Sequence, residues 1–141
     1  MPSIRETVEI KAEPEAVFDL IARVEDFSRY TAVIRDIRAL GHDTFRWRVK
    51  VAGVPLEWDV EVTERRRPRR FAWRSIRGVA NSGSYELEPV PGGTRASFAM
   101  EYRLPNPLLE LLIAPLANPL IRTVSVEILA AVKARLESGA G

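Results

Sequence analysis

The chain has no cysteine and a single histidine, and both scarcities close off chemistry. Without cysteine there is no disulfide, no thiolate nucleophile and no thiolate metal ligand; the redox compartment stays undecided for the same reason. The one histidine, His42, lies in a Gly41-His42-Asp43 turn, where a solvated loop role is expected. One histidine with no cysteine argues against a transition-metal site, and no Ser-His-Asp triad can be assembled around it. A P-loop and a G-x-G-x-x-G run are both missing, so a nucleotide has no cradle, and no cofactor is expected.

Charge of one sign is also lacking. Twenty-one basic side chains oppose 19 acidic ones, a net charge of +2, too little to argue for nucleic acid. The basic run Arg65–Arg70 has no interleaved aromatics on which bases could stack. It is expected as a solvated turn between strands, with anionic headgroups as the sharper alternative at ~1 kcal/mol per residue. The first residues, Met1-Pro2-Ser3-Ile4-Arg5-Glu6, have no apolar core of signal-peptide type, and no apolar run is expected to reach transmembrane length. A cytoplasmic protein is the expectation. Nothing in the sequence bears on oligomeric state.

What is present reads as one domain. The 141 residues, 46% hydrophobic and 28% charged, can bury roughly two thirds of their unfolded surface. Residues 118–138 organise the rest. Asn118-Pro119 is a helix-start signal, and no further Gly or Pro follows until Gly139. At ~100° per residue, Leu120, Ile121, Val124, Ile128, Leu129 and Val132 share one face, with Ala131 and Leu136. Such a helix needs a broad apolar partner, and the alternating runs upstream supply a sheet.

Ile4, Glu6, Val8 and Ile10 alternate with Arg5, Thr7, Glu9 and Lys11, which predicts a first strand. Pro14 opens a short helix over Glu15–Val24, and Phe27 and Tyr30 mark a further helical turn. A weak strand is expected over Ile34–Leu40. Next comes a hairpin: Phe45, Trp47, Val49 and Val51 alternate with arginine and lysine, and Leu56, Trp58, Val60 and Val62 with acidic residues. A two-residue turn at Ala52-Gly53 would pair Trp47 with Trp58 on the inner face and Arg48 with Glu57 on the outer. Strands are then expected over Phe71–Ile76, Ser84–Glu88 and Thr94–Leu104, with breaks at Gly78 and Asn81-Ser82-Gly83. Tyr85 and Leu87 point inward, as do Ala96, Phe98, Met100 and Tyr102. Asn106-Pro107 opens a second apolar helix over Leu108–Ala114, which Pro115 should end or kink.

Together these stretches resemble the START-like or SRPBCC superfamily, with its polyketide cyclase/dehydrase and coenzyme-Q-binding families. The resemblance is carried by Ala12-Glu13-Pro14-Glu15-Ala16-Val17-Phe18-Asp19-Leu20-Ile21, the Phe27–Tyr30 turn, Pro68-Arg69-Arg70-Phe71-Ala72-Trp73, Gly92-Gly93-Thr94-Arg95 and the last helix. It implies an α+β helix-grip fold: a curved antiparallel sheet of six or seven strands wrapped around a long C-terminal helix, in the order β-α-α-β6-α. It also implies a cavity between sheet and helix for a hydrophobic small molecule such as a lipid, quinone or polyketide. An aromatase/cyclase enzyme and a membrane-associated quinone or lipid chaperone are the alternatives for the same pocket.

The wall of that pocket is expected from Phe45, Trp47, Trp58, Phe71 and Trp73 on the earlier strands. Tyr85, Phe98, Met100 and Tyr102 add to it from the later ones, and Leu112, Val124 and Ile128 from the helices. Tyr30, Ser75, Tyr85 and Tyr102 are the candidate polar tips. None forms a diagnostic acid–base pair, so no catalytic residue is assigned. Leu108–Ala117, with Glu110 its only charge, is expected as a wall or lid over the cavity, or as a peripheral membrane contact.

Overall fold

The computed structural model describes residues 3–51, 53–104 and 106–139. Strand β1 (Ser3–Ile10) is followed by helix α1 (Pro14–Ile21) and a 3-10 helix (Val24–Arg29). Six strands come next: β2 (Ile34–Gly41), β3 (Thr44–Val51), β4 (Val54–Arg66), β5 (Arg70–Gly78), β6 (Ala80–Val90) and β7 (Gly93–Arg103). Helix α2 (Pro107–Gly139) closes the chain. The seven strands form one antiparallel sheet in the order β1-β7-β6-β5-β4-β3-β2. The expected helix-grip architecture is therefore present.

The central hairpin has the expected register, with Trp47 opposite Trp58 and Arg48 opposite Glu57. Its tip residue Ala52 lies outside the described residues, and Val51 pairs with Val54. Period-two alternation sorts the two faces. Phe45, Val49, Val51 and Val60 are buried on the inner side. Outside, Arg46 and Arg77 both donate to Asp59, each at 2.9 Å, and Arg48 donates to Glu57 at 3.1 Å. The paired guanidiniums hold the Asp59 carboxyl down at about 2. Such ladders align neighbouring strands more than they stabilise them, because most of their members remain in contact with water.

Three expectations fail in instructive ways. Asn81-Ser82-Gly83 does not break the sheet but lies within β6. A Cβ on Gly83 would come within 2.5 Å of both the Trp73 ring and the Ala99 carbonyl oxygen, so the glycine is there to let an indole cross the strand. Asn81 completes the seat by accepting from Trp73 Nε1 at 3.1 Å. The basic run is not wholly a turn either: β4 continues to Arg66 and β5 resumes at Arg70.

The third correction concerns the C-terminus, where two expected helices are one. Helix α2 runs from Pro107 to Gly139 with Pro115 and Pro119 inside it. Each proline deletes one i→i−4 bond, freeing the carbonyls of Leu111 and Pro115. Leu111, Pro115 and Pro119 are all exposed, so water can satisfy those carbonyls and the helix need not stop. By length and composition alone Pro115–Ser138 could also cross a membrane, contrary to expectation. Here Ile128, Leu129 and Val132 are buried against the sheet, while 28% of the apolar window as a whole is buried.

Candidate functional site: a cavity between sheet and helix

The sheet does not close completely onto α2. Between them lies a cavity of about 140 Å³, close to the ~150 Å³ of an engineered apolar cavity that admits benzene. Side chains from β2 to β7, from the 3-10 helix and from the first two thirds of α2 line it. None of the described lining residues is Asp, Glu, His, Lys or Arg. An ion placed here would lose its hydration without gaining a counter-charge.

A chain of aromatic rings forms much of the wall. Trp58 stacks on Trp47 with centroids 6.1 Å apart, and Trp47 meets Phe27 edge-on at 6.1 Å. Phe27 touches Tyr85 at 6.2 Å, and Tyr85 lies against Phe98 at 5.2 Å and Trp73 at 5.7 Å. Rings in such tilted and edge-on arrangements fix one another's rotamers and hold the hollow open.

Of the residues expected at the pocket, Phe45, Trp47, Trp58, Phe71 and Trp73 line the cavity. So do Tyr85, Phe98, Met100 and Tyr102 from the later strands, and Val124 and Ile128 from α2. Three others lie elsewhere. Tyr30 packs on Phe27 with Arg135 over its ring, and its hydroxyl is buried without a partner, away from the cavity lining. The Ser75 hydroxyl accepts from the Asn81 backbone N–H at 2.9 Å, bracing the strand pair beside the cavity. Leu112 is on the outer side of α2 and is solvent-exposed. It is Ile113, the next residue, that faces in.

Two polar lining residues, Asn81 and Ser125, were not expected at the cavity, and an expected one, Tyr102, is already bonded. Asn81, expected at a break between strands, is buried and tied on all sides: besides Trp73, its Nδ2 donates to the Val79 carbonyl at 2.9 Å. Ser125 sits on the inner face of α2 and donates to the Ile121 carbonyl at 2.7 Å, the usual way a helix hides a hydroxyl. Tyr102 donates to Asn118 Oδ1. Asn118, expected as a helix cap, is thus a link between α2 and the end of β7. Burial chiefly, and the Glu110 carboxylate to a lesser degree, push the Tyr102 phenol up.

Tyr85 differs from all of these. It is 2% exposed and makes no side-chain hydrogen bond with any described residue. Burial alone pushes its phenol well above the ordinary tyrosine value.

The basic run is largely neutralised. Arg65 donates to Asp43 at 3.0 Å, Arg67 to Asp19 at 2.8 Å, and Arg70 to Glu64 at 3.1 Å and to Glu86. Arg66 lies 3.4 Å from Glu64. At the opposite end of the cavity, the outer side of α2 presents Leu108, Leu111, Leu112 and Leu116, each 60–73% exposed.

The sequence matches the family described as "Polyketide cyclase / dehydrase and lipid transport" over residues 1–137. Among solved structures, TTHA0849 from Thermus thermophilus superposes with a TM-score of 0.82 at 21% identity, covering 99% of this chain and 100% of that one. The Zhui aromatase/cyclase from a Streptomyces species gives 0.77 at 17% identity, covering 99% and 96%. A START superfamily protein from Mycobacterium smegmatis gives 0.70 at 17% identity, covering 96% and 97%. At these identities the likeness is one of fold. No curated protein matches significantly.

Proposed function

The chain belongs to the polyketide cyclase/dehydrase and lipid transport family, and on that premise we propose that it binds and carries a hydrophobic small molecule without transforming it. One observation carries the reading: a cavity of about 140 Å³ walled by aromatic and aliphatic side chains, with no charged residue among those described. The chemistry is desolvation. Burying ~300 Å² of ligand surface is worth ~7 kcal/mol before entropy costs. Cyclisation, as in the aromatase/cyclase relatives, needs groups that move protons near neutral pH. The cavity's phenols are pushed the wrong way for a base, which favours carriage over catalysis. Native mass spectrometry with organic extraction of protein purified from its host should release an apolar compound. Ethylbenzene should in turn perturb the fluorescence of Trp47, Trp58 and Trp73. Failure of both tests would remove the carrier reading.

Collection of that ligand at a membrane is a second reading. It is favoured by the outward leucines of α2, which lie on the helix that also walls the cavity. The basic run supports it less, because four of its five arginines, Arg65, Arg66, Arg67 and Arg70, are paired with carboxylates. Co-sedimentation with liposomes should be lost in Leu112→Asp. Pelleting that is equal for both proteins sinks this reading alone.

A further inference from the structure

Resting on the carrier reading, we infer that the ligand is electrically neutral and presents one carbonyl or hydroxyl oxygen, which Tyr85 engages through its phenol. The cavity's hydrogen-bonding groups sort into the engaged and the free. Asn81 is bonded to Trp73, the Val79 carbonyl and Ser75; Tyr102 to Asn118; Ser125 to the Ile121 carbonyl. The Trp47 indole N–H has no partner but is sealed behind neighbouring atoms. Trp58 is only half-buried.

That leaves Tyr85. Its hydroxyl has no partner among the described residues, yet it is not among the polar atoms shut off from all space. For a lining residue that is 2% exposed, the space it touches is the cavity. Phe27, Trp73 and Phe98 pin its ring from three directions, so the hydroxyl is aimed before any ligand arrives. A buried polar group without a partner is a cost that a complementary ligand removes, and a hydrocarbon cannot remove it.

Charge is decided by the same wall. With no cation among the described lining residues, a carboxylate or phosphate would enter unpaired, at a penalty that the pocket's apolar area cannot offset. The ligand class is therefore a neutral ketone, quinone, phenol or alcohol, or the corresponding part of a longer molecule. Ionised acids are shut out, and a plain hydrocarbon fits the walls but leaves the Tyr85 hydroxyl unpaired.

Three probes of one-ring size test this by calorimetric titration: ethylbenzene, acetophenone and benzoate. Ethylbenzene and acetophenone should bind, and benzoate at neutral pH should not. Tyr85→Phe should weaken acetophenone about three- to tenfold, the worth of one hydrogen bond, and leave ethylbenzene unchanged. The substitution deletes an unbonded oxygen and nothing else, and a thermal melt checks that the fold persists. Acetophenone that loses nothing in the variant, or benzoate that binds the native protein as well as acetophenone does, overturns the inference while the carrier reading stands. If neither ethylbenzene nor acetophenone binds the native protein, the inference falls, and if no apolar compound co-purifies either, the carrier reading falls with it.

Discussion

The two halves of helix α2 share one backbone but are held in different ways. The C-terminal half buries Ile128, Leu129 and Val132 and is fastened to the sheet edge by polar contacts. Lys133 Nζ donates to the Glu9 carbonyl at 2.8 Å, and the Glu137 carboxylate accepts from the Lys11 backbone N–H at 3.0 Å. The N-terminal half instead exposes Leu108, Leu111, Leu112 and Leu116. Hydrogen bonds tie it to the end of β7, among them Tyr102 to Asn118 and the Leu104 N–H to Glu110 at 3.2 Å. Two prolines lie in the same half and remove backbone hydrogen bonds from it. One half is an anchor; the other is the weaker wall of the cavity. The proposed carrier role would use both, because a uniformly rigid helix would give a cargo no way in.

The largest effect that should separate the halves is on global stability. Leu129→Ala opens a void in packed core and should cost about 2–5 kcal/mol. Leu112→Ala removes a side chain that is mostly in water and should fall within about 0.5 kcal/mol. Urea unfolding of both variants gives the two numbers. Equal costs would mean that the halves are not mechanically distinct.

A smaller and more local effect is expected at the link between α2 and β7. Tyr102→Phe deletes one hydrogen bond while leaving Asn118, on the exposed side, free to turn to water. The expected cost is about 1 kcal/mol. It should appear as faster amide exchange over 107–118 with rates over 128–136 unchanged, and as faster association of ethylbenzene. Acceleration along the whole helix would show that the link holds the anchor as well.

How much of this contrast could be read beforehand follows from what kind of signal each feature leaves. The inner and outer faces were legible, because Phe45, Trp47, Trp58, Phe98 and Tyr102 obey a period of two that survives folding. The anchor half was legible from the spacing of Ile121, Val124, Ile128 and Val132. The wall half was misread because proline is a strong local stop signal, and its cost depends on whether the freed carbonyls meet water, a property of the assembled molecule. Asn81-Ser82-Gly83 reads locally as a turn, and only the neighbouring strand's Trp73 explains it. Sequence also could not tell the four candidate hydroxyls apart. Whether a tyrosine is free depends on partners distant in the chain: Asn118 for Tyr102, and no described residue for Tyr85.

The smallest effect sharpens the comparison from the anchor side. Hydrogen bonds from Lys133 and from the Lys11 backbone hold the Glu137 carboxyl below the ordinary glutamate range. A depressed carboxyl contributes stability that is fully present above its unfolded value, near ~4.3, and is lost as pH falls through the lower folded value. Acidification from about pH 5 to about pH 3 should therefore loosen the anchor half. Glu137→Gln should remove this part of the acid response, flattening it over residues 129–138 in amide exchange while leaving 107–118 as before. Because Glu137 and Lys133 both keep some contact with water, the change is expected to be slight and local. If the acid response is the same with and without the carboxylate, the last turns of α2 are held by Leu129, Val132 and Leu136 alone, and the polar fastening is incidental.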